Sequence, residues 1–249
     1  MRRSLIMSAM LMCAAIASSA LAQEATPPPV ALALTAEQQA EITAAEANTA
    51  LIVTRAEWAS GPEAEYPDAE RALGHHGRVE VRGLLGVDGR VRYATVSQSS
   101  RAPALDAIAL ASVEASVYQP AKDASGNPIP TMLTTNRFFE NYTSSEGVSA
   151  AIYTCPQFVL DMDWYKQTWG EDQLHEHRFY LMIRGLGTIA RMNSGAGIGS
   201  IESNESYLGR WNRAIETCRT HPNWRFAQAL RPEGEYIDNM ARNAARRRN

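Results

Sequence analysis

The chain has 249 residues, of which 45% are hydrophobic and 20% are charged, and its formal net charge is −3. This length allows one or two domains, and the composition is that of an ordinary globular protein, which argues against wholesale disorder. The slightly acidic balance argues against a general nucleic-acid binder, because such proteins normally carry a basic face.

The first 22 residues form an apolar segment behind a short positive start. Arg2 and Arg3 precede a run of apolar and small residues, and Ala20-Leu21-Ala22 matches the small-x-small pattern that signal peptidase cleaves. We therefore expect a signal peptide over residues 1–22, a mature protein that begins at Gln23, and a periplasmic location. The alternative is an uncleaved anchor in the inner membrane, facing the periplasm, since the apolar run is roughly long enough.

Removal of this segment would leave two cysteines, Cys155 and Cys218. Two cysteines in an exported protein usually pair, because the periplasm is oxidising. We expect a disulfide bond between them rather than a metal site or a nucleophile.

Residues 23–60 are predicted to be a linker. Pro27-Pro28-Pro29 is typical of an extended segment, and the Ala-, Glu- and Gln-rich residues 35–50 favour a helix. The apolar stripe of this helix is thin, so the alternative is a helix that orders only on a partner. Gly61-Pro62 ends any such helix.

Residues 77–96 alternate between apolar and polar, which is typical of strands with one buried face. Asp88-Gly89 provides the residues that a tight hairpin turn requires. Val96 is out of phase with Val91 and Tyr93, and a bulge near Ala94-Thr95 would explain the slip. The apolar side of the first strand consists of Val79, Val81, Gly83, Leu85 and Val87.

A helix and a third strand are predicted after the hairpin. Helical spacing relates Leu105, Ile108, Ser112 or Val113, and Val117, and Pro120 follows them. Residues 131–140 have the Thr and Phe content of a strand. The order β-β-α-β predicts a compact α+β domain over residues 61–145, with one helix on a small antiparallel sheet.

From residue 150 the aromatic residues and methionines recur at helical spacing, and strand alternation is absent. We predict a separate all-α domain over residues 150–249 that ends in a basic solvated tail. The glycine-rich residues 193–200 do not follow a strand, so a flexible connector is favoured over a phosphate-binding loop.

Two histidine pairs are candidate metal ligands. His75 and His76 are adjacent, so in a strand they would point to opposite faces, and they are interpreted as loop residues. His175 and His177 are two residues apart, which separates them by about 200° around a helix and favours a solvated helix face. No metal site is expected.

Catalytic patterns are also missing from the sequence. There is no Gly-x-Ser-x-Gly elbow, no cysteine is plausibly placed beside a catalytic histidine, and Asp161 and Asp163 face different ways on a helix. We therefore expect a binding protein without a cofactor and not an enzyme.

An ordered set of motifs runs from Tyr66 to Glu140, about 75 of the 249 residues. Together these motifs resemble the TonB C-terminal domain, in agreement with the β-β-α-β pattern. They are Tyr66-Pro67, Gly77-x-Val79-x-Val81, Val87-Asp88-Gly89-Arg90-Val91, Leu105-Asp106, Pro120-Ala121 and Gly126-x-Pro128.

The resemblance implies binding by β-strand addition, in which a short extended peptide of an outer-membrane transporter pairs with an exposed edge strand. By analogy with the family this edge is the last strand, Met132–Phe139, and the alternative is that the strand only completes the sheet. Other possible partners are a different periplasmic protein, a second copy of the chain, or an ExbB–ExbD-type motor if the N-terminus stays uncleaved. No nucleic-acid partner is expected, given the acidic net charge. The expected partner-binding residues are Met132, Leu133, Thr134, Thr135, Asn136, Arg137 and Phe138, and the structural motif residues are Tyr66, Pro67, Gly77, Asp88 and Gly89.

The C-terminal part is similar, over short motifs, to small disulfide-stapled helical periplasmic proteins of the HdeA type. The similarity rests on Tyr153-Thr154-Cys155, Cys218-x-x-His221-Pro222 and Phe226-x-x-Ala229. It implies only the helical architecture and the disulfide. The alternative function that it suggests is a periplasmic stress or scaffold protein whose helical domain binds partners without energy transduction.

Overall fold

The structure is a computed structural model that describes residues 34–142, 149–193, 195 and 202–248. The expected signal peptide (residues 1–22), the three prolines of the linker and most of the glycine-rich connector (residues 193–200) lie outside the described residues.

The described N-terminal part of the chain combines three α-helices and a 3₁₀ helix, Asn48–Leu51, with five strands. The helices are α1 (Ala36–Ala47), α2 (Asp68–Ala72) and α3 (Pro103–Glu114). The strands are β1 (Glu57–Ser60), β2 (Gly77–Leu85), β3 (Val91–Gln98), β4 (Val117–Gln119) and β5 (Thr131–Phe139).

The C-terminal part contains only helices among its described residues. They are α4 (Ser149–Ile152), α5 (Cys155–Trp169), α6 (Arg178–Asn193), α7 (Asn204–Thr220), α8 (Phe226–Ala229) and α9 (Glu233–Arg248), with a 3₁₀ helix at Glu171–Glu176. The α+β prediction, with a small antiparallel sheet followed by helices, is confirmed. The basic tail is part of α9.

The main sheet is antiparallel with the strand order β3-β2-β5. The predicted inward side of β2 is buried against α3: Val79, Val81 and Leu85 share a core with Leu105 and Val113. Helix α3 ends before Val117, which was predicted to continue it. Val117 instead lies in β4, and β4 pairs with β1 to form a second, two-stranded sheet.

The hairpin turn forms where Asp88-Gly89 predicts it. Gly89 has φ +78°, and a Cβ atom at this position would lie 2.2 Å from the main-chain oxygen of Tyr118. Only glycine combines this conformation with so close an approach. The predicted bulge is also present, because the β2–β3 register shifts opposite Arg82 and Tyr93 has φ +52°.

Helix α1 packs on the sheet face that lies opposite α3. Its N-cap is a capping box between Thr35 and Gln38. Glu46 accepts a hydrogen bond from Arg82 of β2 at 2.7 Å, and Glu41 accepts one from Tyr93 of β3 at 3.1 Å. A helix is thus present within residues 35–50, and its acidic side chains contact strands of its own sheet.

An aromatic cluster forms the core of the helical part. Phe158, Phe179, Trp211 and Phe226 contact one another with ring centroids 4.6–6.2 Å apart. The expected disulfide is present, and it joins Cys155 at the start of α5 to Cys218 in α7.

A buried ion pair ties α7 to α9. The side chain of Glu233 is fully buried, and Arg210 donates to it at 2.7 Å and to Glu202 at 2.8 Å.

Within the described ranges, no helix is both long enough and apolar enough to cross a membrane.

Candidate functional site

Strand β5 lies at the edge of the main sheet. It pairs with β2 without a break, from Thr131 opposite Leu85 to Phe139 opposite Gly77. In the described part of the chain no further strand pairs with β5. The strand that was expected to be an edge strand therefore lies at the edge of the sheet.

The seven predicted partner-binding residues divide between the two faces of the sheet. Those opposite Gly83, Val81 and Val79 share the face that α3 covers, and they are Leu133, Thr135 and Arg137. The other four lie on the opposite face, and they are Met132, Thr134, Asn136 and Phe138. Phe138 is 46% exposed at the end of the strand, and the guanidinium of Arg178 lies 4.2 Å from its ring centroid.

A cavity of about 310 Å³ lies beside β5. We call it the β5 cavity. It is walled by β1, the segment after β1, β4 and β5, and its lining residues are Trp58, Pro62, Glu63, Ala64, Tyr118, Thr135, Arg137 and Phe138.

The predicted motif residues shape this domain and do not line its edge. The hydroxyl of Tyr66 donates to the main-chain oxygen of His75 at 2.6 Å, its ring packs edge-on against Phe139, and burial raises the pKa of Tyr66 above its usual range. Pro67 is the N-cap of α2, and Gly77 begins β2 with φ +139°. Asp88 and Gly89 make the hairpin turn.

Residues 62–139 match the family model described as Gram-negative bacterial TonB protein C-terminal. This part of the chain is a TonB C-terminal domain. The match contains the three-stranded sheet, α3, β4 and the β5 edge, and it leaves out α1 and all of the C-terminal helices. It supports a role in envelope transport. No curated protein matches the chain.

The helical part packs against the end of the TonB C-terminal domain where β2 begins and β5 ends. Gln157 of α5 donates to the main-chain oxygen of Arg71 at 2.8 Å. Gly74 has φ +73°, and a Cβ atom there would lie 2.7 Å from the main-chain oxygen of Leu160. Arg178 of α6 forms an ion pair with the buried Glu140 at 2.9 Å.

A buried carboxylate lies at this junction. Asp161 of α5 accepts hydrogen bonds from Asn141 at 2.8 Å, from Gln157 at 2.6 Å and from the hydroxyl of Tyr153. Burial raises the pKa of Asp161, and the three donors oppose that shift. Asp163, two residues later, is paired with Arg219 on the exposed side of the helix.

Two of the four histidines discussed above meet at the same junction. His76 and His177 are buried, and their Nε2 atoms lie 2.7 Å apart although 101 residues separate them in the chain. The predicted solvated face is therefore wrong for His177, because the 3₁₀ helix that precedes α6 turns it inward. His75 and His76 do lie in a loop, but His76 is enclosed by Trp164 and Tyr165.

The hydrogen bonds fix the protonation of this histidine pair. The Nδ1 atom of His76 faces the main-chain oxygen of Gly74 at 2.7 Å, so it must carry the proton. The Nδ1 atom of His177 accepts from the main-chain N–H of Phe179 at 3.2 Å, so the His177 proton is on Nε2 and is donated to Nε2 of His76. Both rings are neutral with every nitrogen paired, and desolvation lowers both pKa values.

The histidine pair also lines a larger cavity, of about 690 Å³, between the TonB C-terminal domain and the helical part. Tyr142, Tyr165 and Trp169 supply aromatic walls, and Arg78 and Arg178 supply charge. No group of three or more potential metal ligands occurs among the residues that the structure describes. Sequence spacing could not have found this junction, because its partners are about 100 residues apart.

Proposed function

We propose that the chain is a non-catalytic binding protein that captures an extended segment of an outer-membrane TonB-dependent transporter on the periplasmic side of the envelope. The captured segment adds to the sheet as a strand beside β5. The observation that carries this proposal is the edge position of β5 inside the matched TonB C-terminal domain.

The physics of an edge strand supports this mode of binding. Alternate residues of β5 turn their N–H and C=O groups away from β2, and an incoming backbone satisfies these groups with little demand on its own sequence. The pairing of β2 with β5 is uninterrupted over nine residues, so no bulge breaks the edge. Trp58 and Phe138, both about half exposed, offer apolar surface next to it.

A titration with transporter peptides tests the proposal. Peptides from the N-terminal plug region of such a transporter are added to ¹⁵N-labelled full-length protein, and the amide signals of residues 131–139 are followed. Strand addition should slow hydrogen exchange at alternate β5 amides, because only the outward-facing amides gain a partner.

Backbone methylation of the peptide provides the matched control. In an antiparallel or parallel ladder only every second peptide N–H points at β5, so N-methylation of one alternating set should abolish binding and methylation of the other should not. Equal effects of both sets would exclude strand addition. Signal changes confined to α5–α9 would instead assign the binding to the helical part.

A further inference from the structure

We infer that the β5 cavity is a subsite for an acidic side chain of the added strand. This inference rests on the proposed function and names the chemistry of the peptide that β5 selects. It is carried by two polar groups that line the cavity. Among the described residues, one is a cation without a carboxylate partner and the other is a buried hydroxyl without a hydrogen-bond partner.

The cation is the half-buried guanidinium of Arg137. Its Nε donates to the hydroxyl of Ser112 at 2.9 Å, and its Nη1 donates to the hydroxyl of Thr135 at 3.1 Å and to the main-chain oxygen of Asn136 at 3.2 Å. All three acceptors are neutral, and within the described residues Arg137 forms no ion pair. A guanidinium held in place by neutral acceptors retains its full charge and its preference for a carboxylate.

The hydroxyl belongs to Tyr118 of β4. Tyr118 is only 6% exposed and packs in the core of the domain, and its hydroxyl oxygen finds no hydrogen-bond partner among the described residues. A buried hydroxyl of this kind is costly unless something binds it, so it is a donor held ready for an acceptor.

The geometry of strand addition brings a peptide side chain to these groups. Arg137 and Thr135 lie on the face that α3 covers, and directly opposite residues of neighbouring strands have Cβ atoms about 5 Å apart. Alternate side chains of an added strand therefore stand beside Arg137, under the segment after β1. The side chain of the next peptide residue points to the other face, away from Arg137.

The remaining lining residues favour a carboxylate on an apolar stem. Trp58, Pro62 and Ala64 supply apolar wall. Glu63 is the single carboxylate among the lining residues, and it is exposed, so solvent and salt screen its repulsion of the ligand.

The test uses the transporter peptide that binds β5, with each residue replaced in turn by Glu and by the neutral isostere Gln. Binding is measured by fluorescence anisotropy on the full-length protein. At one position on the α3 side, we expect the Glu peptide to bind about tenfold more tightly than its Gln counterpart. The positions before and after it should show no difference.

Three protein variants test whether Arg137 and Tyr118 cause the preference for the Glu peptide. Arg137→Gln should remove it, so that the Glu and Gln peptides bind this variant equally, whereas the control Arg82→Gln, on the α1 side of β2, should keep it. Tyr118→Phe should reduce the preference while the thermal unfolding temperature of the free protein stays unchanged or rises, because the lost hydroxyl had no partner among the described residues.

Two negative results have different meanings. If the peptide binds but Glu and Gln are equivalent at every position, or if Arg137→Gln keeps the preference, the acidic subsite is refuted and strand addition stands. If no transporter peptide binds, the proposed function fails, and the subsite fails with it.

Discussion

Acidification should destabilise this protein through the histidine pair at the junction. His76 and His177 are neutral, and all their nitrogens are paired, so a proton added to either ring must break a hydrogen bond. Burial holds both pKa values below the usual value for histidine. Since the folded pKa lies below the unfolded one, the stabilisation is present above about pH 6.5 and is lost as the pH falls.

The size of the effect follows from proton linkage. A histidine that is protonated only in the unfolded state lowers the free energy of unfolding by about 1.4 kcal/mol per pH unit. Between about pH 7 and about pH 5, a histidine that stays neutral in the fold loses about 2 kcal/mol of stabilisation. His177, whose pKa is lowered further, should contribute most of this amount, and His76 should contribute less.

Nearby charges modify this profile in known directions. Asp161 and Glu140 favour the protonated form of His76, and His75 disfavours it. The pKa of Asp161 is itself raised, so its contribution is complete at low pH and is lost as the pH rises through the folded value. Asp161 therefore opposes the acid destabilisation by the histidines between the ordinary carboxyl pKa and its own raised value.

The assay is urea unfolding of the full-length protein, followed by tryptophan fluorescence at about pH 7 and about pH 5 under constant ionic strength. The wild type should lose about 2 kcal/mol or more between these conditions. The double variant His76→Gln/His177→Gln should be less stable at the higher pH but should show a flatter pH dependence. The control His175→Gln, at a partly exposed side chain outside the buried pair, should retain the wild-type slope.

The change in the free energy of unfolding with pH, and not its absolute value, tests the role of the histidine pair. A double variant with the same pH dependence as the wild type would falsify the assignment of the acid sensitivity to this pair. A wild type whose stability rises between the two conditions as the pH falls would contradict the neutral, fully paired arrangement itself.

Three further predictions concern stability. Replacing Cys155 and Cys218 by serine opens a link across 63 residues, and urea titrations should show a loss of about 4 kcal/mol, with no effect of reductant on the variant. Gly89→Ala should cost about 2 kcal/mol more than Gly126→Ala, whose φ is similar but whose Cβ would meet nothing; equal losses would show that the turn tolerates a side chain. Arg210→Met should cost about 3 kcal/mol in the same titration, because it weakens the pairing of a fully buried carboxylate, and a loss below about 1 kcal/mol would contradict this.

Local sequence patterns were sufficient to predict much of the secondary structure of the N-terminal domain. Period-two alternation predicted β2 and β3, Asp88-Gly89 predicted the turn, and the phase slip at Val96 predicted the bulge. These features depend on residues that are close in the chain, so local sequence patterns are enough to predict them. The same holds for the capped helix α1.

Local patterns were misleading where a tertiary contact overrode them. Val117 continues the helical spacing of α3, but pairing with β1 draws it into β4. His177 has the spacing of a solvated helix face, but the end of a 3₁₀ helix turns it into the junction. In both cases the deciding partner lies far away in the sequence, where periodicity carries no information.

By itself, the sequence determined the α+β domain with its edge strand, the helical character of the C-terminal part and the cysteine pair. Only the tertiary structure decided which side chains meet: His76 with His177 across the junction, and Tyr118 with Arg137 in one cavity. The physical reason is that secondary structure and turns follow from short-range sterics and hydrophobic periodicity, whereas buried hydrogen bonds and unpaired polar groups are defined by packing between distant segments.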